Sequence, residues 1–355
     1  MPGSPLRPEL QGLQAYEPEP AEGDAPLDAN ENPFAPPEAF AARAQGLIAA
    51  AALNRYPDPA ATALRQRLAK LHGVPPQSLL FGNGSDELIA LLLTAFGGGE
   101  ALCVAPRPTF SMYRLCALGQ GWKVTELDLD AEFDLSTAWV DQVKALRPRL
   151  VFLASPNNPT GNALEPGLVD RLRGLDGTTL VMDEAYAEFG GRSLLAQAPH
   201  EAGLVVLRTF SKAWGLAGLR LGYLCARPDL VAELEKLRLP YNLNVLTQEL
   251  ACAALDEAPA FMARVPQLLA LRERLEAALK GLPGATLYRS DANFVLLRVP
   301  DAARLHQALL LAGLRVRRFG AGRLEGCLRI SVGSPPQQQR VEAVLSAYIQ
   351  GAVKA

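Results

Sequence analysis

Positive charge in this chain is carried mostly by arginine: lysine and arginine together number 35, yet only seven are lysines. A lysine kept in the apolar, Gly-rich stretch TFSKAWGLAGLRLGY therefore asks for a chemical reason, and Lys212 is that lysine. An amine that forms an imine must be unprotonated part of the time, which burial and positive neighbours encourage. Gly215, Gly218 and Gly222 follow it, small enough to let a flat molecule lie against the backbone. Ser211 and Arg220 could hold a phosphate, the arginine through its fork of donors. The bland alternative is a surface lysine in a loop before a strand.

Three further segments carry chemistry. Asp183 closes the apolar run Leu180–Met182 and opens Asp183-Glu184-Ala185-Tyr186. An acid at the C-terminal end of a buried parallel strand faces the crevice where such sheets bind ligands. There it could keep a pyridinium nitrogen protonated and so turn that ring into an electron sink; the plain alternative is a helix cap. Ser155-Pro156-Asn157-Asn158-Pro159-Thr160-Gly161 also follows an apolar run, and taken alone it is a turn. Fixed there, the Asn158 side chain could donate to a ring oxygen. Gly82-Asn83-Gly84-Ser85-Asp86-Glu87 opens an apolar helix whose first N–H groups would attract an anion. A capping box using Ser85 or Asp86 explains that segment equally well on its own. It is not a GxGxxG motif, which counts against a dinucleotide site.

The elements that must position these residues alternate. Helical stretches at Ala60–His72, Ser85–Phe96, Phe110–Leu118, Ser136–Leu146 and Glu165–Gly174 are interleaved with short apolar runs. The runs are Ala101–Val104, Val124–Leu127, Leu150–Ala154, Leu180–Met182, Leu204–Leu207 and Leu219–Cys225. Such alternation predicts an α/β sheet covered on both faces. Residues 1–40 are Pro-rich and are expected to form an extended arm, without regular helix or central strand. After Thr247 a long helix, interrupted at Pro259 and Pro266, leads into Asn293–Val299, Ala302–Leu311, Leu314–Arg318, Leu328–Val332 and a last helix Pro336–Gly351, a smaller α+β unit.

With 355 residues, 49% of them hydrophobic, the chain can bury a large core, and disorder is excluded. A net charge of −2 leaves no basic excess for nucleic acid. Five scattered cysteines without a CxxC pair, and three histidines, give no zinc pattern, and the cysteines read as small buried hydrophobes. His72, His200 and His306 are expected to be surface or helix residues. No apolar stretch is long enough to span a bilayer and the N-terminus has no signal-peptide pattern, so a protein of a reducing cytoplasm is expected.

In the order GSDE, PNNPTG, DEAY and SKAWGLAGLR, the four segments together are specific, and the chain resembles the fold-type-I pyridoxal-phosphate aminotransferases over nearly its whole length. Within them it is most similar to the histidinol-phosphate aminotransferase group. That similarity rests on Asn30-Glu31-Asn32-Pro33, Asn54-Arg55-Tyr56-Pro57-Asp58, GNGSDELI at Gly82–Ile89, Pro108-Thr109-Phe110 with Tyr113, Ala292-Asn293-Phe294 and LRISVG at Leu328–Gly333. Ala35 stands where a glycine is common in the arm.

The resemblance implies a large domain on a mostly parallel seven-stranded sheet and a small α+β domain, in a homodimer with sites at the interface. Expected bounds are 1–50 for the arm and part of the small domain, 51–255 for the large cofactor-binding domain and 256–355 for the rest of the small domain. It implies pyridoxal 5'-phosphate on Lys212, with Asp183 on the ring nitrogen, Tyr186 and Asn158 on the ring hydroxyl oxygen and Tyr113 stacked on the ring face. Gly84, Ser85, Asp86, Ser211 and Arg220 would surround the cofactor phosphate, reached across the dimer by Tyr56. For substrate, it implies Arg329, Asn158, Tyr16 in the arm, and an arginine of Gly313–Arg318. As a strand that segment puts Arg315 and Arg317 on one face and Arg318 on the other; the family pattern selects Arg317. The implied reaction is amino transfer between histidinol phosphate and 2-oxoglutarate, giving glutamate. An aromatic-amino-acid aminotransferase, a phosphothreonine decarboxylase and a cofactor-binding regulator without turnover are the other readings.

Overall fold

The structure, a computed structural model, describes residue 10, residues 23–98 and residues 100–351. Its larger sheet has seven strands in the order β2-β8-β7-β6-β5-β3-β4. These are β2 (Leu79–Asn83), β3 (Leu102–Arg107), β4 (Lys123–Asp128), β5 (Leu150–Ala154), β6 (Thr179–Asp183), β7 (Leu204–Thr209) and β8 (Leu221–Cys225). β1 (Ala25–Leu27) lies in the other sheet. The pairings β3–β4, β3–β5, β5–β6 and β6–β7 are parallel, while β8 runs antiparallel to both β7 and β2. β5 and β6 are buried at every position, which is why they read as unbroken apolar runs rather than alternating ones.

The smaller sheet has the order β1-β11-β12-β10-β9, adding β9 (Thr286–Leu287), β10 (Phe294–Arg298), β11 (Leu314–Phe319) and β12 (Cys327–Ser331). β1 pairs parallel with β11 at the sheet edge and the remaining pairs are antiparallel. Helices Val265–Lys280, Ala302–Leu311 and Pro335–Ile349 supply Leu275, Leu279, Leu305, Leu309, Val341 and Leu345 to the core beneath it.

Two features of the first forty residues differ from the expected arm. Ala25–Leu27 is a strand, tolerated with Pro26 at its centre because an edge strand need not donate on its outer side. A helix spans Glu38–Ala50, beginning immediately after Pro37 fixes the chain direction. β2 was likewise not expected from the sequence: its apolar LLF portion is short and runs straight into the glycines of the helix start. The long helix after Thr247 is three pieces, Val245–Asp256, Ala258–Met262 and Val265–Lys280, broken where the prolines predict. The five cysteines are free, and burial pushes the Cys103 and Cys225 thiols up to about 12.

His72 is a helix residue, as expected, and is half-buried. Its Nε2 lies 2.7 Å from the Tyr223 hydroxyl, at the end of helix Thr62–His72. Burial, aided by the positive charge of Arg208, pushes its pKa down to about 4. Between pH 6.5 and 4 the unfolded chain takes up a proton that the folded chain refuses, so stability falls as pH drops through that window. We expect His72→Gln, which keeps a polar partner for Tyr223 but cannot titrate, to lose less stability on acidification than the wild type. The difference should approach about 2–3 kcal/mol near pH 4, measured by urea unfolding at pH 7, 5.5 and 4; parallel losses would assign the acid sensitivity elsewhere.

Candidate active site

At the C-terminal ends of the parallel strands a cavity of about 270 Å³ opens between the two sheets. Lys212, Asp183, Tyr186, Asn158, Tyr113 and Arg329 line it, with Gly84, Ser85, Asp86, Ser211 and Arg220 at one end. The four sequence segments thus converge on a single space.

Asp183 and Lys212 are delivered by the ends of parallel strands. Asp183 is the last residue of β6, and strand alternation sends it into the cavity while the next residue, Glu184, turns to the opposite side. There Glu184 is fully buried and is met by Arg208 Nε at 3.0 Å and by the Ser193 hydroxyl at 2.7 Å. Asp183 accepts hydrogen bonds from the Tyr113 hydroxyl at 2.7 Å and from the Ala185 N–H at 3.0 Å. Burial nonetheless raises its pKa to about 6, with those two donors working in the opposite direction. A cationic partner placed in the cavity would lower it again.

Lys212 follows β7 by three residues. Its Nζ donates to the Ala29 carbonyl at 2.9 Å and lies 5.6 Å from the centre of the Tyr186 ring. It reaches the cavity instead of solvating freely in a loop. Ser211 is held in the turn by its N–H donating to Thr209 Oγ1 at 3.1 Å, and Thr209, not singled out from the sequence, also lines the cavity.

The phosphate-sized end is built at the start of helix Ser85–Phe96. No side chain caps this helix, and Asp86 lies 3.4 Å from Arg220 Nη2, which removes it from a capping role. Arg220 holds a left-handed φ of 51°. Gly84 has φ 80°, and a Cβ there would come within 2.7 Å of Arg220 Nη2. Gly222 is equally constrained, since a Cβ would meet the Ser85 nitrogen at 2.4 Å. Uncapped helical N–H groups, a hydroxyl and a guanidinium converging on one pocket make a donor set suited to a phosphate. With an acid and a lysine further along the cavity, the residues fit pyridoxal phosphate.

On the opposite wall, Arg329 of β12 is buried and donates to Asn158 Oδ1 and to the Asp28 carbonyl, joining the small sheet to the PNNPTG turn and to the arm. Arg317 of β11 pairs in register with Arg329, so both side chains leave the same face. Arg315 is engaged elsewhere, its Nε 3.0 Å from Asp28 Oδ1, and Arg318 is exposed on the other face.

Tyr113 lines the cavity and is fully buried, its ring stacked on Phe152 at 4.9 Å and its hydroxyl donating to Asp183. Tyr56 does not line the cavity: it is 81% exposed and stacked on Tyr241 at 4.4 Å. Tyr16 lies outside the described residues. The sequence reading also assigned no role to Asn30, which is 1% exposed and donates from Nδ2 to the Tyr186 hydroxyl at 2.9 Å. Its signal was present, as the first residue of the quoted NENP.

The fold and cavity define a class. The family model of aminotransferase class I and II matches residues 24–347, and the chain belongs to that family. Over 351 residues it is 40% identical to a histidinol-phosphate aminotransferase of Methylibium petroleiphilum, covering 97% of this chain and 94% of that one. Among solved structures, the histidinol-phosphate aminotransferase of Sinorhizobium meliloti, in complex with pyridoxal-5'-phosphate, is similar with a TM-score of 0.88, covering 99% of each chain at 24% identity. L-threonine-O-3-phosphate decarboxylase of Porphyromonas gingivalis is similar with a TM-score of 0.81, covering 92% of this chain and all of that one, also at 24% identity. At these identities the two structures share the fold and do not separate amino transfer from decarboxylation.

Lys212 carries no part of the core, its polar contact being a single carbonyl. Lys212→Ala is therefore expected to leave the thermal midpoint within a few degrees of wild type while removing amino-transfer turnover. Turnover near the wild-type level in a folded Lys212→Ala protein would take the reacting amine away from this residue.

Proposed function

We propose that this chain moves an amino group from L-histidinol phosphate to 2-oxoglutarate, giving imidazole acetol phosphate and L-glutamate, with pyridoxal 5'-phosphate as cofactor. The observation that carries the reading is the pairing of a complete cofactor cradle with two arginines, Arg317 and Arg329, side by side on the small sheet facing away from its core. Bound pyridoxal phosphate supplies a carbon that joins amines and a ring that accepts an electron pair.

The chain's own residues do the rest. Lys212 Nζ is the amine that would hold the cofactor and the atom that would move the proton. Asp183 keeps the ring nitrogen protonated, and its hydrogen bonds from Tyr113 and Ala185 aim it. Tyr186 and Asn158, both lining the cavity, would meet the ring hydroxyl oxygen. Arg220, Ser211, Gly84, Ser85 and Asp86 surround the cofactor phosphate.

Arg329 would take the carboxylate of glutamate and, in the other half of the cycle, the phosphate of histidinol phosphate, which has no carboxylate. Arg317 adds the second positive charge that a phosphate calls for. Tyr56 would serve a cofactor in a partner subunit, because it is exposed and away from its own cavity; a homodimer with two shared sites follows. Among the described residues no helix is long and apolar enough to cross a membrane, and free buried cysteines suit a reducing cytoplasm.

Purified protein loaded with cofactor should show a yellow absorbance band that histidinol phosphate bleaches and 2-oxoglutarate restores. Bleaching by phenylalanine but not by histidinol phosphate would move the assignment to aromatic amino acids, and release of carbon dioxide from phosphothreonine would move it to decarboxylation. Arg317→Ala is expected to raise KM for histidinol phosphate about tenfold or more while changing that for glutamate less. Equal losses would show that Arg317 does not select the phosphate.

A further inference from the structure

Asn30 sits in the left-handed region at φ 55°, buried where β1 gives way to the arm. Its polar groups are engaged. The backbone N–H donates to Ser331 Oγ at 2.9 Å, and the carbonyl accepts from Asn293 Nδ2 at 3.1 Å. Oδ1 accepts from the Ser331 hydroxyl at 3.1 Å, and Nδ2 donates to the Tyr186 hydroxyl at 2.9 Å. Ser331 is 1% exposed, so its proton needs an acceptor inside the protein, and Asn30 Oδ1 is the one it meets. That settles which end of the amide faces Tyr186. The nitrogen end can only donate, so the Tyr186 oxygen accepts from Asn30 and its own proton is left to point into the cavity.

We propose that Asn30 is a positioning residue that sets the direction of the Tyr186 hydrogen bond, committing the phenol to donate toward the cofactor's ring oxygen. The inference rests on the cofactor reading above and goes beyond it, since it concerns which partner donates. It also ties that phenol to β12, because Ser331 lies two residues beyond Arg329 on the same face of the strand. A donated proton stabilises the anionic ring oxygen, most strongly when the Lys212 nitrogen that would hold the cofactor beside it is deprotonated, and so lowers the pH at which the yellow band titrates.

The test is the pH titration of that band in substrate-free holoenzyme. Lys212, Asp183, Asp86, Arg220, Arg329 and Glu31 surround the space and are kept in every variant. Asn30→Gly removes the amide while retaining a residue at ease with positive φ, and Ser331→Ala removes the donor that fixes the amide. Both are expected to move the midpoint upward, Asn30→Gly by about one pH unit and Ser331→Ala by less. In a Tyr186→Phe background Asn30→Gly should then produce no further shift.

A yellow, folded Asn30→Gly holoenzyme titrating with the wild-type midpoint would overturn the proposal. So would the same shift with and without the Tyr186 hydroxyl, because Asn30 would then act by another route. If Asn30→Gly does not fold, an unshifted Ser331→Ala titration overturns it alone. Failure of the cofactor reading looks different: the wild-type protein itself would show no yellow band.

Discussion

Asp183 must keep a negative charge in a place that water hardly reaches. A carboxylate on the surface needs nothing from its neighbours, but at 5% exposure it gains protons unless donors or a cation stabilise the anion. The chain provides two donors, one from a tyrosine sealed in the core and one from the backbone two residues on. They do not fully offset burial, which still lifts the carboxyl to about 6. Positive charge inside the cavity would lower it again, and a ring nitrogen that holds its proton is of the right kind. The site is thus poised to gain from a cationic ligand, with the protein fixing the anion in advance instead of reorganising when it arrives.

Meeting that requirement shapes the surroundings. Tyr113 can place its hydroxyl on Asp183 because its ring is locked flat against Phe152 of β5. Because neighbouring residues at a strand end face opposite ways, Glu184 is buried too, and Arg208 answers it from β7 with Glu188 as a second partner at 2.8 Å. The same guanidinium helps keep His72 neutral. Two charge problems on opposite sides of β6 are solved separately, the internal one by a permanent ion pair and the one facing the cavity by a group that must come from outside.

What the sequence made legible follows from this economy. Lys212, Asp183 and Asn158 each stand at or just past an apolar run, and a side chain at the end of a buried parallel strand has few places to point. The interleaving of runs and helices therefore carried both the large sheet and the location of the cavity. Long-range partners were not legible. Asn30 meets Tyr186 across 156 residues and Ser331 across 301, and no local pattern encodes that meeting. Local reasoning could put Arg315 and Arg317 on one face, but only the register with β12 and the acid on Asp28 show that Arg315 is spent and Arg317 stands beside Arg329. Tyr113 lies on the expected wall, but its hydrogen bond to Asp183, 70 residues away, was not legible either. The first forty residues were read by their prolines, and the edge of a sheet is the place where a proline costs a strand little.

The arm, finally, is more than a cover. Asp28 takes Arg315 through its carboxylate and Arg329 through its carbonyl, and Asn30 takes Ser331 and Tyr186. Ala29, between them, accepts from Lys212. Three consecutive residues therefore touch the reacting amine, the phenol beside it and the arginine of the opposite sheet. Because these contacts are hydrogen bonds to backbone and amide groups, they fix directions without adding net charge to the cavity. A displacement of this segment by an ångström would disturb the Lys212 amine, the Tyr186 phenol and the Arg329 guanidinium together, so its geometry couples the two walls of the cavity.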